Sequence, residues 1–127
     1  MTSCVLDASA VIALFRKEPG WENVLSRMHN AAISTVNVSE AIHKMVEKGT
    51  PIEKAIYFLR KLPVARIVFD EDLAIVTASL RSPTRQKGVS LGDRACLALA
   101  LVRNCPAVTS DSKWKELDVS VRIELFR

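Results

Sequence analysis

Four acids stand where a chain of alternating strands and helices would gather its side chains: Asp7, Glu40, Asp93 and Asp111. Asp7 follows the run Ser3-Cys4-Val5-Leu6, and Asp111 follows Ala107-Val108-Thr109-Ser110. Both runs read as short buried strands. Glu40 and Asp93 fall in what reads as the first turn of a helix, within Asn37-Val38-Ser39-Glu40 and Ser90-Leu91-Gly92-Asp93. In an open parallel sheet, strand ends and helix starts share one edge, and such folds bind their ligands there. Carboxylates crowded at that edge raise one another's pKa unless a cation neutralises them. Magnesium and manganese suit the task, because they take oxygen ligands, retain waters and bind substrate phosphates. Such an ion can activate a water and stabilise charge on a leaving oxygen. No histidine or cysteine is placed for zinc. The pattern points to a Mg²⁺ or Mn²⁺ site on an enzyme that acts on nucleic acid.

Each acid has an ordinary alternative. Glu40 and Asp93 fit a capping box or a close relative of it, and Asp7 and Asp111 fit simple N-caps. Place sets them apart. All four are expected on one edge of the sheet, and none falls on a core stripe. Glu40 is expected almost opposite the face of Val38, Ile42 and Met45.

The elements that must position these acids follow from punctuation and periodicity. A first strand closes at Leu6, and a short helix starts near Ala10. Pro19-Gly20 breaks the chain before a helix from Trp21 to His29, and Ala32 to Val36 reads as strand. Val38, Ala41, Ile42, Met45 and Val46 then recur at helical spacing until Gly49. Thr50, Pro51 and Glu53 read as N-cap, N1 and N3 of the next helix, with Ile52, Ala55, Ile56 and Leu59 turned inward. Arg66 to Phe69 is the third strand, and Asp70 caps a helix to about Leu80. A polar loop, Arg81 to Gly88, leads to Ser90, which caps a helix ending near Asn104. A fourth strand follows Pro106, then a short helix around Trp114 and a last strand through Val119, Val121, Ile123 and Leu125. There is no repeat, low-complexity tract or linker. Residues 1–127 read as one α/β domain.

Composition narrows the class. With 127 residues and 49% hydrophobic content the chain can bury a core, and 25% charged residues excludes wholesale disorder. The net charge of +4 attracts polyanions, whereas the local acidic cluster would repel phosphate without a metal. Cys4, Cys96 and Cys105 form no C-x-x-C pair and leave an odd count, which excludes a disulfide framework and a zinc knuckle. The longest uninterrupted apolar run, Ala95 to Val102, is too short to span a bilayer, and Met1-Thr2-Ser3 opens no signal peptide. A reducing cytoplasm and no membrane are expected.

In order, Asp7-Ala8-Ser9, Ser39-Glu40, Ser90-Leu91-Gly92-Asp93 and Thr109-Ser110-Asp111 resemble the signature of PIN-domain ribonucleases, over essentially the whole chain. A free-standing domain of this size is most similar to the toxin of a VapBC-type toxin–antitoxin pair. The resemblance implies a three-layer α/β/α fold around a parallel sheet of about five strands. It also implies a Mg²⁺- or Mn²⁺-dependent endoribonuclease, usually a homodimer, whose substrate is RNA and whose cognate antitoxin holds it inactive. By position, Asp7, Glu40, Asp93 and Asp111 would be the metal-binding acids, with Ser9 and Thr109 as supporting hydroxyls. Some relatives carry a further acid shortly after the last aspartate. Here Ser112 and Lys113 follow, and Lys113 could instead meet a phosphate.

Other features admit two readings each. Arg81, Arg85 and Lys87 lie in a loop without acids and could track an RNA backbone or simply be solvated. Arg94 could meet a phosphate or a neighbouring acid. His43, three residues after Glu40, could move a proton or be a surface residue. Trp21 and Trp114 could stack on bases or pack. The helices at 51–62 and 72–80 carry enough apolar residues for a dimer or antitoxin surface as well as a core. Two other functions fit an α/β domain with an aspartate after its first strand. One is phosphoryl transfer of receiver or haloacid-dehalogenase type, although Ser9 stands where a dehalogenase needs its second aspartate. The other is a non-catalytic module of the same fold that uses its basic surface to bind RNA.

Overall fold

The central strand is apolar on both faces because both faces are covered. In β1 (Cys4–Leu6), Cys4 and Leu6 enter one core cluster and Val5 enters the other, and all three are fully buried. β4 (Ala107–Thr109) alternates likewise, with Val108 joining the first cluster and Ala107 the second. This is the period of two expected of strands sandwiched between helices. The computed structural model describes residues 1–84 and 88–127. Its sheet adds β2 (Ala31–Ser34), β3 (Ala65–Ile67) and β5 (Ile123–Leu125), in the order β3-β2-β1-β4-β5. All neighbours pair in parallel, Val5 lying opposite Ala32 on one side and Ala107 on the other. Parallel neighbours need crossovers, and helices supply them.

The first cluster packs α1 (Ala8–Arg16), α2 (Trp21–Leu25), α3 (Thr35–Glu47) and α4 (Ile52–Lys61) on one face of the sheet. The second packs α5 (Glu71–Ser79) and α7 (Leu91–Arg103) on the other, with the single turn α6 (Arg81–Thr84) between them. The result is the expected three-layer α/β/α arrangement. α7 buries every residue from Ala95 to Ala100, and its start is fixed by a full capping box. Ser90 Oγ accepts from the Asp93 amide at 3.1 Å and Asp93 Oδ2 accepts from the Ser90 amide at 3.1 Å. Asp70 caps α5 as expected, accepting from the Leu73 amide at 2.9 Å. Gly20, at φ +88°, opens α2 in a left-handed conformation, and a side chain there would run into the Phe126 carbonyl. Among the described residues no helix is long and apolar enough to cross a membrane. Cys4, Cys96 and Cys105 are all free thiols.

Several boundaries differ from expectation, and capping explains the most consequential. Ser34 Oγ accepts from the Val36 amide at 3.2 Å, so β2 stops at Ser34 and α3 begins at Thr35. Glu40 therefore sits in the second turn of α3, and Asn37 lies within the helix instead of capping it. The buried positions of α3 are Asn37, Ala41 and Met45, while Val46 is 40% exposed. α1 starts at Ala8, directly after Asp7. Pro51, not Thr50, occupies the N-cap of α4, and Ile52 is 49% exposed, leaving Ala55 and Leu59 as the buried contacts. α2 ends at Leu25 and β3 at Ile67, both earlier than periodicity suggests. The expected loop after Arg81 opens as α6, where Thr84 Oγ1 donates to the Leu80 carbonyl at 2.6 Å. Val119 and Val121 lie before β5 and outside its pairing.

Trp114, in the 3-10 turn Ser112–Glu116, is 1% exposed within the second cluster, and Trp21 packs half-buried against the first. Packing, not base stacking, accounts for both. Trp114→Ala should cost about 3–5 kcal/mol in urea unfolding. Trp21→Ala should cost less, because part of its surface is already in water.

Candidate active site

The carboxyl ends of β1 and β4 lie side by side, and two hydroxyls tie them together. Thr109 Oγ1 donates to Asp7 Oδ2 at 2.9 Å and accepts from the Asp111 amide at 3.1 Å. Ser9 Oγ donates to the same Asp7 oxygen at 2.8 Å and accepts from the Ser110 amide at 3.2 Å. Each hydroxyl thus spends its one proton on Asp7, so the 3.5 Å approach of Ser9 Oγ to Thr109 Oγ1 is a contact between two acceptors. The Asp7 amide also donates to the Val108 carbonyl at 3.0 Å. Asp7 occupies the N-cap of α1 but makes no side-chain capping bond. Its carboxylate serves the cleft.

Glu40 reaches this edge from α3, and its place is set by two residues that the sequence reading did not single out. Asn37, fully buried one turn earlier, donates from Nδ2 to Glu40 Oε1 at 3.3 Å and to the Gly92 carbonyl at 3.0 Å. Gly92 lies beside the Glu40 carboxylate: a Cβ there would stand 2.7 Å from Oε2 and 3.1 Å from Oε1. A signal for each was present. Asn37 sits at i, i+4, i+8 spacing with Ala41 and Met45, which puts a polar group on a buried stripe. Gly92 interrupts an otherwise strong helix, often a sign of close approach by another group.

The electrostatics link all four acids. Burial pushes Asp7 above the usual carboxylate range; the Ser9 and Thr109 hydroxyls oppose it, the charge of Glu40 adds to it, and the Ala8 amide opposes it slightly. Burial also raises Asp93, partly offset by its bonds to Ser90 and reinforced by the charges of Asp7 and Asp111. Cys96, fully buried behind the site, is held well up as a neutral thiol, by burial first and then by Asp7, Asp93 and Glu40. The capping reading is also true of two acids. Asp93 closes the box with Ser90, and Asp111 Oδ1 accepts from the Lys113 amide at 3.0 Å. Among the described residues, no three acidic, histidine or cysteine side chains are drawn together tightly enough to hold a metal ion. The donors facing the cleft are nonetheless all oxygens, and the thiol behind it stays protonated, a chemistry suited to a hard divalent cation.

The basic candidates are less gathered. Arg94 turns toward α5, where Nη1 donates to the Thr77 carbonyl at 3.5 Å, and its buried Nε finds no partner among the described residues. Arg81 and Lys113 are exposed, and Arg85 and Lys87 lie outside the described residues. His43 is exposed and pairs with Glu47 at 3.4 Å, which favours its surface reading.

The sequence pattern of the PIN domain matches residues 4–120. No curated protein sequence matches the chain significantly. Among solved structures, the fold is similar to DNA-bound VapBC from Salmonella typhimurium, with 21% identity, all of both chains covered and a TM-score of 0.79. It is similar to VapBC2 from Rickettsia felis bound to a promoter fragment, with 21% identity, 98% of each chain covered and a TM-score of 0.77. It also resembles Mycobacterium tuberculosis VapC20, described as a sarcin–ricin loop cleaving toxin, at 14% identity over 94% of this chain and 99% of that one, with a TM-score of 0.73. A match over nearly the whole length, with four acids, Ser9 and Thr109 ordered along one sheet edge, makes this chain a member of the PIN domain family.

Proposed function

We propose that this protein is a Mg²⁺- or Mn²⁺-dependent endoribonuclease of the cytoplasm, the toxin of a VapBC-type pair, which acts as a homodimer and is held inactive by a cognate antitoxin. One observation carries the reading. A buried carboxylate, Asp7, is fastened at the sheet edge by two hydroxyls while the charge of Glu40 bears on it and the charges of Asp7 and Asp111 bear on Asp93. A fold gains nothing in stability from such a cluster, whereas a divalent cation would neutralise it. The similarity to VapBC structures and to a sarcin–ricin loop cleaving VapC supports the class of substrate and of partner.

Asp7, Asp93 and Asp111 would hold the ion, with Glu40 as a further ligand or as the base that orients the attacking water. A divalent ion supplies, when bound, charge neutralisation for the phosphodiester and activation of that water for in-line attack. Ser9 and Thr109 keep Asp7 Oδ2 fixed, so one acid is already in place before substrate arrives. Lys113, exposed two residues after Asp111, would meet a phosphate. Arg81, Arg85, Lys87 and Arg94 are the other candidates for backbone contacts, with Arg94 needing to leave Thr77 to make one. Exposed apolar side chains, Tyr57 on α4 and Ile75 on α5, offer surfaces for a second copy and for the antitoxin.

Cleavage of total RNA by antitoxin-free protein tests the activity. Cuts are expected with Mg²⁺ or Mn²⁺, none in excess chelator, and at least about a hundredfold slower cleavage by Asp93→Asn if loss of a metal ligand acts as outer-shell losses do or worse. Cleavage that persists in chelator would overturn the reading.

A stability measurement tests the cluster separately. Because burial raises Asp7 in the folded state, its contribution to stability is fully present below its unfolded pKa and is lost as pH rises through the folded value. Metal-free Asp7→Asn should therefore melt higher than the wild type at neutral pH, with the advantage shrinking as pH falls toward 3.8. Added Mg²⁺ should stabilise the wild type only. A lower melting temperature for metal-free Asp7→Asn at pH 7 would show that its carboxylate is structural.

A further inference from the structure

The contact between α3 and the first turn of α7 has an assembly that the cap and core roles leave unexplained. We propose that Asn37 and Gly92 are positioning residues for Glu40: Gly92 clears the space its carboxylate occupies, and Asn37 ties that carboxylate to the turn that carries Asp93. The inference rests on the nuclease reading, since it deepens the roles of Glu40 and Asp93 in one site.

Asn37 faces two acceptors, Glu40 Oε1 at 3.3 Å and the Gly92 carbonyl at 3.0 Å, so its amide nitrogen must point at them. Its Oδ1 is then left buried with no partner among the described residues. A buried acceptor left unmatched is a net cost to folding, so stability alone does not account for the residue. Gly92 adds an independent constraint. Its φ is not in the left-handed region, and alanine is the better helix former, so backbone and propensity both favour replacing it. What excludes a side chain is Glu40: a Cβ at Gly92 would lie 2.7 Å from Oε2, 3.0 Å from Cδ and 3.1 Å from Oε1. The obstacle is the end of a flexible side chain. Gly92→Ala should therefore fold and displace the carboxylate.

The test measures Mn²⁺ affinity by calorimetry or electron paramagnetic resonance, with thermal melting and RNA cleavage alongside. Gly92→Ala and Asn37→Ala are compared with the wild type, and each is repeated in a Glu40→Ala background. Each single substitution should weaken Mn²⁺ binding about 10- to 100-fold, as loss of outer-shell support does. Gly92→Ala should do so without a lower melting temperature. In Glu40→Ala the same substitutions should have no further effect on affinity, because there is no carboxylate left to position. Additive losses in that background would reduce both residues to general structural roles. Wild-type affinity in both single variants would overturn the positioning role while leaving the nuclease reading intact. Wild-type protein that neither binds Mn²⁺ nor cuts RNA would remove that reading and this role together.

Discussion

The burial of the Asp7 carboxylate is the constraint around which the rest of the site is arranged. It stands at the end of the central strand, where β1 has β2 on one side and β4 on the other, so water cannot solvate it from either flank. A charge in that position needs donors, and the end of β4 and the start of α1 bring them. Thr109 supplies one as the last residue of that strand, and Ser9 supplies the other from the first turn of α1. Both hydroxyls accept from amides of the following loop, which fixes where Ser110 and Asp111 lie. The Asp111 backbone is thus placed by the same two side chains that hold Asp7.

Helix capping and cation binding need not be rival uses of these acids. A capping carboxylate sits beside the unpaired amides of a helix start, which favour negative charge. Asp93 satisfies the Ser90 amide and still feels Asp7 and Asp111 strongly enough for its protonation to respond. A cap thus holds an acid at a fixed place on the sheet edge without consuming both oxygens. Asp70 provides the contrast. It caps α5 with similar geometry, yet it is not among the charges that raise Asp7 or Asp93.

Much of this was legible because it depends on local chemistry. The buried triplets of β1 and β4, the Asp70 and Ser90 caps and the apolar run of α7 follow from residue type and spacing. The start of α3 was misplaced because two hydroxyl or amide caps, Ser34 and Asn37, lie within one turn of each other, and only tertiary packing selects between them. Asn37 then became a buried bridge to α7, a role that depends on a helix 55 positions later. Gly92 was visible as part of a motif but not as a gap, since the group that needs the gap belongs to another helix. The orientation of Arg94 toward Thr77 was equally hidden. Local rules fixed the caps of α5 and α7; contacts between distant helices fixed the site.

Cys96 is a thiol that its surroundings keep neutral. It lies three residues after Asp93 on α7, where a helix brings side chains to the same face. A thiolate there would add a soft ligand beside the carboxylates and favour zinc. The environment prevents it. Full burial already disfavours the charged sulfur, and Asp7, Asp93 and Glu40 each disfavour it further. Carboxylates that would attract a divalent ion thereby keep the nearby thiol protonated, so it behaves as a small apolar filler of the second core cluster. The thiol is therefore held neutral by burial first and by the field of the three carboxylates second.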